Sequence, residues 1–517
     1  MENSLTIDLF EPGMGPLHRA GLGGLAATIR RLKLSSEEGF DFDERRLKLT
    51  WRSEDCAGFF RRLYENAFDL REGLIHLPGS YDSVEPTPEV KAELQQGMAL
   101  TILQFGPNRK AGGPARERTF EVDGQPVVVT HQNLIGYTHR AAWKDLLTTK
   151  GKLKPLVEIS GTIAPGFVQR HVAHAATKIE QRPGLAIALH FALVGTLAMR
   201  IGLKSAVLLV PDVDDLVAFA RRRGALTPRT PRQCHVANPA DAALQAHLRL
   251  LKASAGDTLG LGRCLAVRFA AQSWNEKQKT RAEVLDTEPE VLDVGVNRRS
   301  LIRFEVAMLE LAPRVFRPRY QSEGQPREPS YWVPSLVRPL VAENLAMGRP
   351  WFQDFRKLVV AGDGSNDEQR LRQLAFERKG LQAMIDLPSD DKREELLIVA
   401  IHQAMWQRFG KLWDDSQRNP TTFRNRKDRQ MQEWRLAFAH AKTADGFRDA
   451  LADLLSRAGQ VPALMESWRE IRPLFSDSDR WRLNRDLALL ALASYRGSGK
   501  EDDDAPVPAP ENLDDSE

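Results

Sequence analysis

The passage LFEPGMGPLHRAGLGGLAATIRRL, residues 9–32, opens as a strand would and closes as a helix would. Upstream, Leu5–Phe10 alternates apolar and polar residues; downstream, Leu22–Leu34 has helical periodicity, with basic residues near its end where they suit the helix dipole. Between lie glycines at 13, 15, 21, 23 and 24. Gly21–Ala26 fits G-x-G-x-x-A, a permitted form of the dinucleotide fingerprint. That chemistry requires the glycine turn directly after a buried strand, so that a pyrophosphate meets the helix N-terminus. Here eleven residues separate Leu9 from Gly21. The spacing therefore places the glycines at the start of or inside a helix, where small residues let backbones approach closely, and argues against a bound dinucleotide. No cofactor is expected.

At 517 residues the chain exceeds one ordinary domain and suits two to four. Its formal charge of +4 hides an asymmetry. Residues 501–517 hold eight acidic groups and no Lys or Arg, so residues 1–500 carry +12. A body this basic suits an anionic partner. Cys56, Cys234 and Cys264 form neither a disulfide framework nor a metal spacing. The longest apolar run, Leu185–Met199, falls short of the ~20 residues of a bilayer span and contains His190, so it reads as a buried helix. No charged-then-apolar leader is visible after Met1, and a reducing cytoplasm is the expected compartment.

Residues 1–360 alternate helix and strand signals, with amphipathic helices over Phe59–Leu70 and Glu89–Leu103. FGPNRKAGGPARERT (105–119) is crowded with Gly and Pro and reads as a cationic loop. TFEVDGQPVVVT after it reads as a hairpin turning at Asp-Gly. AVLLVPDVDDLVAFARRRG (206–224) reads as strand, turn and helix: Asp214 and Asp215 at the helix start, Arg221–Arg223 serving the dipole at its end, Gly224 as the stop. Past residue 361 strand signals nearly vanish, and 394–413, 423–441, 447–459 and 481–497 all have helical spacing. The expected fold class is α+β: a mixed region over 1–360, an all-α bundle over 370–500, and a disordered acidic tail over 501–517.

No catalytic set assembles. GSGK (497–500) lacks the Ser or Thr of a P-loop and follows a helix; His171 and His174 lack a third metal ligand. Cationic features are richer. Asn108, Arg109, Lys110, Arg116 and Arg118 occupy the expected loop; Lys152 and Lys154 approach a strand; Gln169 and Arg170 end another loop. Lys277, Lys279 and Arg281 follow Trp274, an aromatic among bases as in single-strand grooves. Arg424, Arg426, Lys427 and Arg429 begin a helix, where their charge opposes the dipole and a phosphate partner would offset the cost.

PGMGPLHRAGLGGLAATIR, AVLLVPDVDDLVAFA and WNEKQKTR together resemble the DevT-like large subunit of the Myxococcus-type (MYXAN) type I CRISPR surveillance complex, Cascade. The resemblance runs through most of residues 1–340, with the helical part matching in architecture. It implies a non-enzymatic, nucleic-acid-binding subunit that inspects the protospacer-adjacent motif in double-stranded DNA and helps to open an R-loop. Its implied partners are the guide RNA, target DNA, the backbone, 5′-handle-binding and small subunits, and a helicase–nuclease or transposition protein recruited in trans. It also implies a C-terminal portion made alone in some relatives, for which Met347 or Met384 are the internal starts here. On this reading Asn108, Arg109, Lys110, Arg116, Arg118, Lys152, Lys154, Gln169 and Arg170 approach target DNA. Lys277, Lys279, Arg281, Arg424, Arg426, Lys427 and Arg429 hold the displaced strand or heteroduplex. The alternatives are a developmental regulator of fruiting-body formation and sporulation, a transposon-guiding complex, and a dinucleotide-dependent enzyme.

Overall fold

The computed structural model describes residues 2–104, 106–122, 125–159, 179–202, 204–253, 264–270, 291–294, 298–316, 331–360, 367–389 and 391–497. Gln169, Arg170, His171, His174, Trp274, Lys277, Lys279, Arg281, residues 498–500 of GSGK and the tail after 500 lie outside them. The chain divides into two units, Met1–Val296 with Pro313–Pro334, and Asn297–Ala312 with Ser335–Glu517.

In the first unit β1 (Glu2–Asp8) pairs antiparallel with β3 (Arg46–Arg52), which also pairs β2 (Phe40–Phe42), giving the order β1-β3-β2. Between β1 and β2 runs α1 (Pro16–Leu32), led in by Gly13 at φ +99°. Pro16 opens the helix, where its missing N–H costs nothing. Next come α2 (Cys56–Ala67), the short pair β4 (Asp69–Arg71) and β5 (Leu74–His76), and α3 (Pro88–Leu100). Then β6 (Arg109–Val122) and β7 (Gln125–Tyr137) form a long hairpin, succeeded by the small pair β8 (Val157–Glu158) and β9 (Glu180–Gln181).

The opening glycines belong to a helix crossing. Helix α4 (Pro183–Gly195) is buried nearly all round and lies on α1. A Cβ at Gly21 would stand 1.8 Å from the Ala188 carbonyl oxygen, and one at Gly24 2.5 Å from the Gly195 nitrogen. From the other side, a Cβ at Gly195 would stand 1.8 Å from the Ala20 carbonyl oxygen. Backbone meets backbone here, as the spacing implied. Leu185–Met199 is not one helix, however. It breaks after Gly195 into β10 (Leu197–Arg200), because Thr196 is extended and turns the chain back.

Strand β10 edges a four-stranded antiparallel sheet with β11 (Ser205–Pro211), β12 (Cys264–Ala270) and β13 (Val291–Val294). Helix α5 (Leu216–Leu226) is capped by Asp215, whose carboxylate accepts from the Ala218 N–H at 2.8 Å. It runs through Gly224, so Gly224 is no stop: a Cβ there would stand 2.4 Å from Asp82 Cγ, a close approach that demands glycine. Arg223 also departs from the expected terminal role. It is buried and donates to the carbonyls of Val194 (2.6 Å), Thr196 (2.8 Å) and Ser80 (3.2 Å) and to Thr227 Oγ1 (2.9 Å). Helix α6 (Pro239–Ala253) packs on β11, β12 and β13.

The second unit is helical. It takes in α7 (Arg298–Glu310), after which β14 (Arg314–Phe316) and β15 (Tyr331–Val333) return to the first unit, and then α8 (Arg338–Ala346), the single turn α9 (Arg356–Val359), α10 (Asp367–Phe376) and α11 (Arg378–Ile385). Helix α12 (Lys392–Asp415) is central, burying Leu397, Ile401, Met405 and Phe409 against α13 (Pro420–His440), α14 (Ala444–Ala458), α15 (Pro462–Ser476) and α16 (Trp481–Ser494). Sequence periodicity missed α10, α11 and α15. In α15, Pro462 starts a helix and Pro473 is accommodated inside it. The α+β class stands.

Candidate nucleic-acid interface

The cationic segment 105–119 is not a loop but mostly strand. Antiparallel register runs from Arg109↔Tyr137 to Val122↔Gln125. The Asp123-Gly124 turn itself lies outside the described residues. What imitates a loop is a bulge: Gly112, Gly113 and Pro114 stand between the pairs Ala111↔Leu134 and Ala115↔Gln132. Gly113 takes φ +131°, and the Gln132 side chain donates to its carbonyl at 2.6 Å. Alternation in VVVTHQNL places Val127, Val129, His131 and Asn133 on the buried face, where Val129 packs with Leu74, Ala92 and Phe120. The hairpin is therefore anchored on β5 and α3.

That anchoring sorts the expected contacts. Asn108 is 2% exposed, and its carbonyl accepts from Thr138 Oγ1 at 3.3 Å, so its side chain is not a surface group. Arg109 is half-buried, donates to the Gln104 carbonyl, and has its pKa lowered by burial. Arg118 is 25% exposed and faces Glu72 at 3.6 Å. Lys110 and Arg116 are exposed and, among the described residues, without an ion-pair partner. Lys152 is exposed on the turn joined by the Leu147↔Leu153 bridge; Lys154 Nζ is tied to the Asp145 carbonyl at 2.9 Å.

In the helical unit, Asn419 caps α13 by accepting from the Thr422 N–H at 3.0 Å. Arg424 is exposed on its first turns. Arg426 donates to the Asp415 carbonyl at 3.0 Å, Lys427 Nζ lies 5.9 Å from the Phe409 ring centre, and Arg429 pairs with Glu433 at 3.2 Å. Arg424 thus stays available for a partner.

Cys264 Sγ meets His247 Nε2 at 3.6 Å, but both are buried in the core, and among the described residues no three His, Cys, Asp or Glu side chains group as metal ligands. An open cleft of about 830 Å³ by β2, β3 and α2 is lined by both signs of charge, Glu37, Glu38, Glu54 and Asp55 beside Lys48, Arg52 and Arg62. The buried ionic group Glu93–Arg200 (2.6 Å) and Glu93–His235 (3.1 Å) is internally matched. Among the described residues, no helix is long and apolar enough to cross a membrane.

Similarity to known proteins respects the same division of the chain. A DevT N-terminal domain matches residues 6–190, and a DevT C-terminal domain matches residues 387–516. The chain is 35% identical to the CRISPR-associated protein Cas8a1/Csx13 of Myxococcus xanthus (strain DK1622), over 96% of this chain and 89% of the relative. The resemblance drawn from the glycine-rich passage and its companions holds, and the chain belongs to the Cas8a1/Csx13 family of CRISPR-associated proteins, with DevT domains at both ends.

Proposed function

We propose that this chain is the non-catalytic large subunit of a type I CRISPR surveillance complex, and that its β6–β7 hairpin contacts target double-stranded DNA beside the protospacer. The observation that carries this is a pair of exposed cations, Lys110 and Arg116, without an ion-pair partner among the described residues, on a ribbon whose other face packs on β5 and α3. A two-stranded ribbon fits the major groove, and Lys and Arg along it meet phosphates. Arg424 and its neighbours on α13 would hold the displaced strand or the heteroduplex by charge and shape. The relative's CRISPR-associated name supports membership of such a complex, with guide RNA and other subunits as partners.

The test is the salt dependence of DNA binding by the complex assembled from full-length chain, guide RNA and partner subunits. Lys110→Gln with Arg116→Gln should flatten the slope of log K against log salt by about one unit per lost phosphate contact. An unchanged slope refutes the hairpin's role.

A further inference from the structure

The chain leaves the helical unit beside two cations of α13. Helix α16 ends at Ser494, and the next residue, Tyr495, lays its ring against Phe409 of α12 at 5.5 Å between centres and against His402 at 5.6 Å. Lys427 of α13 reaches the same Phe409 ring, with Nζ 5.9 Å from its centre. The exit and this ammonium therefore share one landmark. Arg424 lies three residues back along α13, a neighbour of Lys427 on one helix face. Arg424 is exposed and Lys427 half-buried, and among the described residues neither has an ion-pair partner. Arg426 and Arg429 are already engaged, the first donating to the Asp415 carbonyl and the second pairing with Glu433. The first turn of α13 holds no acidic residue, and Asp428, four residues on from Arg424, is exposed and makes no ion pair among the described residues.

The sequence beyond this exit carries the matching charge. After Gly497 come Ser498, Gly499 and Lys500, and then four carboxylates in succession, Glu501, Asp502, Asp503 and Asp504. Four residues of extended chain span up to ~14 Å, so the first of these carboxylates can reach the Phe409 landmark and the cations beside it. Arg424 and Lys427 are separated by about 5 Å along the helix axis, close enough for consecutive acidic residues to meet both. A single exposed ion pair is worth little. A tethered acidic segment differs because its link to α16 holds it near the cations at an effective concentration in the millimolar range. The backbone of a nucleic acid offers the same two groups the same charge, so both ligands would occupy one face.

We propose that residues 501–504 dock on Arg424 and Lys427 and compete there with nucleic acid, so that the chain guards its own α13 face. The docking stands on the exit geometry; the competition rests on the reading above that α13 holds nucleic acid. Two measurements on the full-length chain test it. A carbodiimide, which joins an amine to a carboxylate in contact with it, should link Lys427 to residues 501–504, in a yield that falls when salt is raised from about 0.05 M to about 0.5 M. Fluorescence anisotropy then reads the binding of a single-stranded DNA oligonucleotide. Glu501→Gln with Asp502→Asn, Asp503→Asn and Asp504→Asn should tighten that binding by about three- to tenfold at low salt, and the gain should vanish when Arg424→Gln and Lys427→Gln are added. Absence of the Lys427 link overturns the docking. An affinity unmoved by neutralising the four acids, or a gain that persists without the two cations, overturns the competition. If Arg424→Gln with Lys427→Gln leaves oligonucleotide binding unchanged, the nucleic-acid reading of α13 fails instead, and the cross-link still decides the docking.

Discussion

Replacing a helical glycine with alanine normally stabilises a protein, by ~1 kcal/mol of helix propensity. At Gly21 the sign should reverse. The new Cβ would stand 1.8 Å from the Ala188 carbonyl oxygen and 2.9 Å from the Ala192 nitrogen. Real contacts need more than 3 Å, so α1 and α4 must part by over an ångström where both are buried. A gap of that size forfeits a quarter to a half of each dispersion contact across the crossing. Overpacking of this kind costs roughly 1–3 kcal/mol and more when backbone must move, which outweighs the propensity gain. With the overpacking cost at or above the top of that range, ~3 kcal/mol, less ~1 kcal/mol of propensity, the expected net effect of Gly21→Ala is a destabilisation of about 2 kcal/mol. Gly410→Ala is the control: it lies inside α12, and its Cβ would meet nothing within 4 Å, so it should gain ~0.5–1 kcal/mol. Urea unfolding of the two variants, monitored by far-UV CD and tryptophan fluorescence, reads both signs. If Gly21→Ala matched Gly410→Ala in sign, the close-crossing explanation of the opening glycines would be wrong.

Arg223→Met strands the Val194 and Thr196 carbonyls that the guanidinium now satisfies, while the Ser80 carbonyl keeps Thr227 Oγ1, and should lower stability by about 2–4 kcal/mol at an unchanged m-value. Acid should destabilise the first unit through two buried histidines, His139 and His190, whose pKa values burial lowers to about 3 and about 4. The unfolded chain takes up these protons near pH 6.5, so stability is fully present above that pH. It drains as pH falls toward the folded values, by roughly 1.4 kcal/mol per histidine per pH unit. Melting temperatures at pH 7, 6 and 5 should show this fall, and His139→Leu should make it shallower. In the helical unit, Arg480 pairs with both Asp391 and Glu394. Arg480→Ala should cost about 1–2 kcal/mol, shrinking in 1 M salt because the group is partly exposed.

Legibility tracked how local the physics was. The distance from Leu9 to Gly21 was enough to reject a dinucleotide turn and to assign close helix packing, because both readings depend on spacing along the chain. Leu185–Met199 was not separable into helix and strand, since a uniformly apolar run carries no period and the break at Thr196 comes from tertiary pairing with β11. The Gly and Pro of 111–114 spoke for a loop when they built a bulge, whose flanking residues find their ladder only in β7. Pro462 reads equally as a break and as a first helical residue, and only the helical run from Ala463 onward separates the two. Cations were the least legible. Arg109, Arg118 and Arg223 count as charge in the sequence but are withdrawn in different degrees by burial, whereas Lys110, Arg116 and Arg424 remain outside.

The chain enters the helical unit twice, and this bears on where a separate polypeptide could begin. Helix α7 is coded ahead of β14 and β15, yet it packs with α8 and α11; Leu311 lies against Gly380, and Arg303 donates to the Pro388 carbonyl at 2.6 Å. Ribosomes initiating at Met347 would make α9 to α16 without α7 and α8. Initiation at Met384 would drop α9, α10 and most of α11 as well. Either product would lack the Leu301, Phe304 and Leu311 side chains that the intact unit buries. A freestanding product of this reading frame would therefore begin with an apolar scar where α7 had been. It would need another protein surface, or a second copy, to heal it.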